Sequence, residues 1–177
     1  MIRTILVILY NLIRIAIGKV CHGARYAVHP LQRISPFTVL KLYQYGRLEI
    51  GCNCEFAHGC DIEVFDHAII SIGEGTYMNR YCMLSAHSGV TIGNFCLFGA
   101  GVKVFDNNHT HSPEKGVSTH LSSAPVVIGD NCWLASDVVV LKGVTIGDNC
   151  VVGAGCIVYK DLPAGSVVYN KQDLVIK

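Results

Sequence analysis

The residues best suited to chemistry in this sequence are histidines in a polar segment that spans roughly residues 106–125. His109, His111 and His120 lie there, within the run FDNNHTHSPEKGVSTHLSSAP. Imidazole has a pKa near physiological pH, so each ring could accept a proton from a weak nucleophile or bind a metal ion in its neutral form. The choice between these roles depends on the elements that position the segment.

The chain that follows the histidine segment repeats in blocks of six residues. The first position of each block is a large apolar residue: Ile128, Leu134, Val140, Ile146, Val152 and Val158. A period of six fits neither an amphipathic helix nor an alternating hairpin sheet. Short fixed repeats are a signature of the parallel β-helix, in which each block supplies one strand and a corner. We therefore predict an all-β parallel β-helix in which three blocks close one triangular coil.

The same register extends towards the N-terminus and locates the interruptions between coils. It places Ile50, Ile72 and Ile92 at the starts of earlier coils, with spacings of 22 and 20 residues instead of 18. From Ile92 to Ile128 the spacing is 36 residues, which is one coil plus an insertion of 18. That insertion is the histidine segment. A long loop that leaves a regular scaffold is where functional residues are expected.

The nine cysteines of the sequence follow the register instead of a disulfide or metal pattern. Seven occupy the fifth position of a block: Cys54, Cys60, Cys82, Cys96, Cys132, Cys150 and Cys156. Thr76 and Val102 take the same place in other blocks, so the position is predicted to hold small side chains that pack inward. No C-x-x-C pair occurs, which disfavours a zinc ribbon or a thioredoxin-type site. Unpaired thiols favour a reducing compartment, and we expect a cytoplasmic protein.

Residues 1–47 are predicted to form a helix followed by a connector. Residues 1–20 are almost wholly apolar, but Asn11 and Arg14 interrupt them as a transmembrane span. Packing of this helix against the coil or a neighbouring subunit is favoured, and contact with a membrane surface is the alternative. Residues 21–47 carry two prolines and are predicted to be a connector or capping turn.

Coils are predicted for residues 48–168 and a C-terminal tail for 169–177. Only 15% of the residues are charged, and the net charge of +1 gives no reason to expect nucleic-acid binding.

The run IGDNCWLASDVVVLKGVTIGDNCVVGAGCIVYKDLPAGSVV resembles the C-terminal half of hexapeptide-repeat acyltransferases. It is similar in particular to the galactoside/maltose O-acetyltransferase and polysaccharide O-acetyltransferase branch, and the resemblance extends over about residues 48–168. It implies a left-handed parallel β-helix and a homotrimer. It also implies that acetyl-CoA is the cosubstrate, that no metal is needed, and that acetyl is transferred directly to a saccharide hydroxyl.

The resemblance also implies which histidine is the general base. In that family the base lies on the long loop, at a fixed distance in sequence before a tryptophan. His109 lies 24 residues before Trp133, which matches that distance. Asp106 and His109 resemble the D-x-x-H start of that loop, so His109 is the predicted base. Asp106 and His111 are predicted to lie near the acceptor. His111 is the second candidate for the base, and His120 is expected on the loop surface.

Further positions are assigned by the same resemblance. Asn79 matches an asparagine that helps to position the acceptor, and the alternative is a corner residue that satisfies its own backbone. Five residues match positions that line the CoA groove: Trp133, Ala135, Ser136, Ala154 and Lys160. Backbone N–H groups near Ser136 are expected to stabilise the oxyanion.

Three other functions remain open at this stage. A zinc carbonic anhydrase of the β-helix type would need three imidazoles, and His87, His109 and His111 are the candidates. That family spaces its close pair as H-x-x-x-x-H, whereas His109 and His111 are two residues apart. An acetyl-CoA-dependent N-acetyltransferase for an amino sugar or a xenobiotic is the second alternative. A non-catalytic trimeric scaffold is the third.

Overall fold

The computed structural model describes residues 2–171, with side chains from residue 4 onward. It contains one helix, α1 (Ile2–His22), one 3-10 turn (Gly23–Arg25) and a series of short strands that wind into a triangular column. Residues 172–177 of the predicted tail lie outside the described part of the chain.

Three parallel sheets of six, seven and six strands form the faces of the column. The first face contains β1 (Tyr26–Val28), β4 (Arg47–Ile50), β7 (Ile69–Ile72), β10 (Gly89–Ile92), β15 (Val126–Ile128) and β18 (Thr145–Ile146). The second contains β2 (Arg33–Ile34), β5 (Glu55–Phe56), β8 (Tyr77–Met78), β11 (Leu97–Phe98), β16 (Trp133–Leu134), β19 (Val151–Val152) and β21 (Val167–Val168). The third contains β3 (Val39–Leu42), β6 (Asp61–Val64), β9 (Met83–Ala86), β12 (Lys103–Phe105), β17 (Val139–Val140) and β20 (Ile157–Val158).

The strand pairing confirms the six-residue register and the predicted β-helix. Ile50 pairs with Ile72 and Ile72 with Ile92, each in the strand of the next coil. Ile92 then pairs with Ile128, and Ile128 with Ile146. The insertion between Ile92 and Ile128 therefore leaves the stacking of the coils undisturbed, as the spacing predicts.

The seven cysteines in the register are all buried, which confirms their predicted packing role. Six of them, all but Cys156, also donate from Sγ to a corner carbonyl of the next coil. The Sγ of Cys96 donates to the carbonyl oxygen of Gly129 at 3.1 Å, and the Oγ1 of Thr76 donates to that of Gly93 at 3.1 Å. Cys and Thr are interchangeable here because both donors reach a corner carbonyl of the next coil. Burial raises the pKa of the Cys54 thiol to about 11, which keeps it protonated and unreactive at neutral pH.

The column begins one coil earlier than the sequence predicts. The segment predicted as a connector contains β1, β2 and β3, which pair with β4, β5 and β6 of the next coil. The register is obscured there because polar Gln32 and Thr38, both buried, hold the fifth positions. Gln32 Nε2 donates to the Gly51 carbonyl at 2.6 Å and Thr38 Oγ1 to that of Ala57 at 2.8 Å. An amide and a hydroxyl thus take the place that thiols hold higher in the column.

Close stacking of the coils explains the glycines at the corners. A Cβ on Gly73 would lie 2.5 Å from the carbonyl carbon of Gly93 in the next coil, which no real side chain tolerates. Gly89 differs, because a Cβ added there would have the Ile69 carbonyl oxygen as its nearest neighbour, at 3.5 Å, which is an ordinary contact distance.

Helix α1 covers the lower end of the column, in agreement with the predicted packing on the coil. Ile15 is buried against the first coil. Asn11 Nδ2 donates to the Ile34 carbonyl at 2.8 Å, and Arg14 Nη2 donates to the Thr38 carbonyl at 2.7 Å. The helix thereby caps the interior of the first coil, as terminal elements of repeat proteins must.

Candidate active site

The histidine segment, predicted as a long inserted loop, forms an antiparallel hairpin. Its strands are β13 (Asn107–Ser112) and β14 (Gly116–Ser123), with an irregular register between His109 and His111. Gly116, the first residue after the turn, has a φ of +70°, a conformation that glycine adopts easily. The hairpin leaves the column after β12 and returns at β15. It projects from the edge where the third face meets the first, which we call the hairpin edge.

Asp106 anchors the root of the hairpin and is fully buried. Its Oδ2 accepts hydrogen bonds from the backbone N–H groups of Ser88 and Gly89, both at 2.6 Å. Its Oδ1 accepts from the N–H of His87 at 2.8 Å and from Asn107 Nδ2 at 3.0 Å. The acceptor contact predicted for Asp106 is therefore not supported, because the carboxylate faces a corner of the preceding coil. Asp106 positions the hairpin.

A second tether holds the returning strand of the hairpin. Lys142 Nζ donates to Ser122 Oγ at 2.6 Å and to the Ser122 carbonyl at 3.2 Å. The N–H of Gly143 donates to the Ala124 carbonyl at 3.1 Å. Lys142 holds the same corner position as Asp106, one coil further on. No sequence signal marks this contact, because it forms only when the hairpin folds back over the next coil.

The imidazole of His109 is exposed and oriented by the hairpin itself. Its Nδ1 lies 3.1 Å from the carbonyl oxygen of Ser118 on the opposite strand. A carbonyl oxygen only accepts hydrogen bonds, so the tautomer that makes this contact carries its proton on Nδ1. The neutral ring then presents the lone pair of Nε2, which is the nitrogen that can accept a proton. The sequence does not identify Ser118 as the orienting partner, because that pairing appears only in the folded hairpin.

The remaining histidines named above lie around the hairpin without forming a metal site. His111 and His120 are exposed on the two strands. The ring of His87 stacks on Phe65 with centroids 3.8 Å apart. Within residues 2–171, no group of three or more His, Cys, Asp or Glu side chains could hold a metal ion. This part of the chain therefore offers no set of metal ligands for the zinc carbonic anhydrase alternative.

Most residues predicted to bind CoA gather at a second edge, where the second face meets the third. Ala135 is half-buried there, and Ser136 and Ala154 are exposed. We call this the small-residue edge, because the short side chains leave the backbone accessible. Trp133 lies beside it on β16 and is 51% exposed, so an aromatic wall borders the exposed backbone.

Asn79 lies at the same small-residue edge, two coils below Ala135. Its Oδ1 accepts a hydrogen bond from the N–H of Arg80 at 2.8 Å, which is the corner role that the sequence left as the alternative. The side chain is half-buried, so this contact anchors it at the surface of the edge. The acceptor contact predicted for Asn79 stays a prediction.

The two edges are separated within one chain. Lys160 follows β20 and lies at the hairpin edge, one coil beyond Lys142, whereas Ala154 precedes β20 and lies at the small-residue edge. The third face therefore stands between His109 and most of the predicted CoA groove. The single chain brings His109 and Lys160 to one edge, and Trp133 and Ala154 to the other.

Comparisons with known proteins identify the family. The family described as bacterial transferase hexapeptide (six repeats) matches residues 125–160. WbbJ of Escherichia coli strain K12, which is named for O-acetyl transfer in lipopolysaccharide biosynthesis, is 30% identical over 141 residues that cover 75% of this chain and 72% of WbbJ. The chain belongs to the hexapeptide-repeat acyltransferase family.

Other hexapeptide-repeat proteins match smaller parts of the chain. Nodulation protein L of Rhizobium meliloti strain 1021 is 42% identical over 99 residues, which cover 56% of this chain and 54% of that protein. The chain thus spans about half the length of such curated relatives. A hexapeptide-repeat acetyltransferase of Vibrio cholerae O1 biovar eltor, solved with acetyl coenzyme A, is 26% identical with a TM-score of 0.55, covering 66% of this chain and 61% of that chain.

Proposed function

We propose that this protein transfers an acetyl group from acetyl-CoA to a hydroxyl group of a saccharide, with His109 as the general base. The observation that carries the proposal is the geometry of the His109 ring. The ring is exposed on a hairpin held by two tethers, and the Ser118 carbonyl fixes the tautomer that leaves Nε2 basic. The reaction class is supported by the Vibrio relative solved with acetyl coenzyme A and by the O-acetyl transfer in the name of WbbJ.

The chemistry explains why an imidazole is needed. A sugar hydroxyl is a weak nucleophile, so its proton must leave as its oxygen bonds to the thioester carbonyl carbon. Nε2 of His109 takes that proton, which contributes roughly 10²–10⁴-fold to the rate. Backbone N–H groups near Ser136 would stabilise the negative oxygen of the tetrahedral intermediate. When the C–S bond breaks, the imidazolium returns the proton to the CoA sulfur, and the products are an acetyl ester and the free thiol.

Transfer is direct, without an acyl-enzyme. The seven cysteines in the register are buried inside the column, where a thioester donor cannot reach them.

The separation of the two edges supports an active site shared between chains. In a homotrimer the hairpin edge of one chain would face the small-residue edge of its neighbour. The pantetheine arm would then lie along Ala135, Ser136 and Ala154 beside Trp133, and Lys160 of the adjoining chain would meet a CoA phosphate. This arrangement would bring the base to the thioester, which one chain alone does not do.

Replacement of His109 tests the proposed base. We expect His109→Ala to lose at least 100-fold in kcat, while the Kd for acetyl-CoA and the oligomeric mass stay unchanged. Turnover would be followed as CoA thiol release with a panel of galactosides, maltose and nucleotide sugars, and mass by light scattering. His120→Ala is the control, because His120 is exposed on the returning strand of the same hairpin, and it should retain activity.

The other outcomes are equally informative. Equal activity of His109→Ala would refute the assignment, and loss confined to His111→Ala would move the base to that residue. Turnover only with amino acceptors would identify an N-acetyltransferase. Failure of the unmodified protein to bind acetyl-CoA in calorimetry would favour the scaffold and refute the proposed function.

A further inference from the structure

Helix α1, at the lower end of the column, buries its polar face and exposes its apolar face, which is the reverse of an amphipathic helix packed in water. Such a helix normally turns its apolar stripe to the core and its polar residues to solvent. Here Asn11 and Arg14 face the column, where Asn11 Nδ2 bonds the Ile34 carbonyl at 2.8 Å and Arg14 Nη2 bonds the Thr38 carbonyl at 2.7 Å. The polar side of α1 is thus the buried side.

The opposite side of α1 is apolar and exposed. At about 100° per residue, the positions from Leu12 round to Tyr10 form an arc of roughly 160° that contains no polar side chain other than the Tyr10 hydroxyl. Eight of its large side chains are between 39% and 87% exposed: Ile5, Leu6, Leu9, Tyr10, Leu12, Ile13, Ile17 and Val20. A continuous apolar patch of this kind on a protein surface marks an interaction site.

The contacts on the inner side are incomplete. Among the described side chains, Asn11 Oδ1 and Arg14 Nη1 are buried without a hydrogen-bond partner. Burying unpaired polar atoms is unfavourable, and exposing the apolar arc to water is unfavourable as well. The exposed apolar arc therefore indicates that an apolar medium covers the outer face of α1.

The charge distribution indicates which medium covers it. Residues 1–48 contain seven of the 14 Lys and Arg residues and none of the 13 Asp and Glu residues. Residues 1–48 therefore carry a formal charge of +7. With the four acidic residues of the adjoining second coil, residues 1–64 carry +3 and the remainder of the chain carries −2. Arg33, Lys41 and Arg47 pair with glutamates of the second coil, whereas Lys19 is exposed on the flank of the apolar arc. A cationic end with a broad apolar face complements an anionic lipid surface.

We infer that the outer face of α1 docks on an anionic membrane surface, with the helix lying in the headgroup region and the column standing on it. The width of the arc favours lipid over a second copy of the chain, because helix–helix seams use a narrower stripe. The surface is additional to the acetyl-transfer site, because α1 packs on β1 and β2 of the first coil whereas the hairpin leaves the column after β12.

The packing of α1 favours a helix that lies on the membrane over one that crosses it. Ile15 is 2% exposed, and a Cβ on Gly18 would lie 2.6 Å from the Tyr26 ring, so the helix is docked sideways on the first coil. A crossing orientation would withdraw Asn11 and Arg14 from their carbonyl partners and place both in hydrocarbon, where polar side chains are unfavourable.

Vesicle sedimentation with the unmodified protein tests the inference. The probes are vesicles of phosphatidylcholine alone and of phosphatidylcholine with 30% phosphatidylglycerol. We expect binding to the anionic vesicles that weakens in 0.5 M NaCl, and at least a tenfold loss of binding in the double variant Leu9→Glu/Ile13→Glu. Val117→Glu is the matched control, because Val117 is 75% exposed at the distant end of the hairpin. It should bind like the unmodified protein.

Circular dichroism and melting curves verify that the variants keep the column, and Val20→Glu, at the position with 87% exposure, is the milder substitute if the double variant does not fold. Equal binding of the helix variants and the unmodified protein would overturn the inference. A second result would also overturn it: the unmodified protein does not bind vesicles, and the Leu9→Glu/Ile13→Glu variant forms a smaller oligomer than the unmodified protein. A second copy of the chain would then cover the apolar face. Resistance of the bound protein to alkaline extraction would show a membrane-crossing helix and would overturn it too.

Discussion

Replacement of Asp106 by Asn should destabilise the protein and misplace the histidine hairpin. The change keeps the volume of the side chain but removes its charge and exchanges one acceptor oxygen for an NH2 group. In the native structure the two oxygens accept N–H bonds from Ser88 and Gly89 at 2.6 Å and from His87 at 2.8 Å. The NH2 group of an Asn would face at least one of these donors, which would then lack an acceptor.

The magnitude follows from the number of bonds affected. A hydrogen bond to a charged group contributes about 1.5–3 kcal/mol, and an unsatisfied buried donor costs about 1–3 kcal/mol. We therefore expect Asp106→Asn to lower the free energy of unfolding by about 2–4 kcal/mol. In a domain of this size each kcal/mol shifts Tm by about 2–4 °C, so Tm should fall by about 4–16 °C.

Scanning calorimetry and steady-state kinetics measure the two effects of this change. Glu114→Gln, at the exposed turn of the hairpin, controls for the loss of one negative charge and should change Tm by less than about 2 °C. We expect kcat to fall with Asp106→Asn, because the root of the hairpin moves, while the Kd for acetyl-CoA is kept. An unchanged Tm with lost activity would refute the reasoning and restore Asp106 to a direct role at the acceptor.

Three further changes test the column and its tethers. Gly73→Ala should lower the free energy of unfolding by about 1–3 kcal/mol because its Cβ would meet Gly93, whereas Gly89→Ala should stay within about 0.5 kcal/mol in the same urea titration. Burial raises the pKa of Cys54 from 9.0 to about 11, so its contribution to stability is present below pH 9 and is lost as the pH rises to 11. The stability difference between the unmodified protein and Cys54→Ala should therefore narrow between pH 8 and pH 10.5, and a constant difference would contradict this account. Lys142→Ala should lower kcat with little change in Tm, because it releases the exposed strand of the hairpin and leaves the core intact. An unchanged kcat would show that this tether has no role in placing His109.

The column could be predicted from the sequence because each coil repeats the same local requirements. An apolar residue must begin each block and a small residue must fill the fifth position, so Ile92 and Ile128 could be aligned across the insertion. The first coil was missed for a local reason. Gln32 and Thr38 satisfy the corner carbonyls with polar groups, so the fifth position lacks its usual small apolar residue, although Val28, Ile34 and Leu40 continue the repeat of first positions.

The candidate site could be predicted only in part, because its key contacts join residues that are distant along the chain. The resemblance in spacing to Trp133 predicts His109 as the base, but its partner, the Ser118 carbonyl, depends on the pairing of the hairpin. Asp106 was predicted to contact the acceptor, and it is buried because the corner at residues 87–89 lies beneath it. The separation of the two edges follows from the triangular winding, which a linear motif does not reveal.

The number of coils in the column sets the distance between its lower end and the histidine hairpin. In the third face, β12 lies three strand spacings above β3, roughly 14 Å at about 4.8 Å per step. With α1 resting on a lipid surface, the number of coils beneath the hairpin would set the height at which an acceptor chain must present its hydroxyl. Removing one whole coil would lower the imidazole of His109 by about 4.8 Å and leave the hairpin that orients it unchanged. Coil number could then select acceptors by length, independently of which sugar they carry.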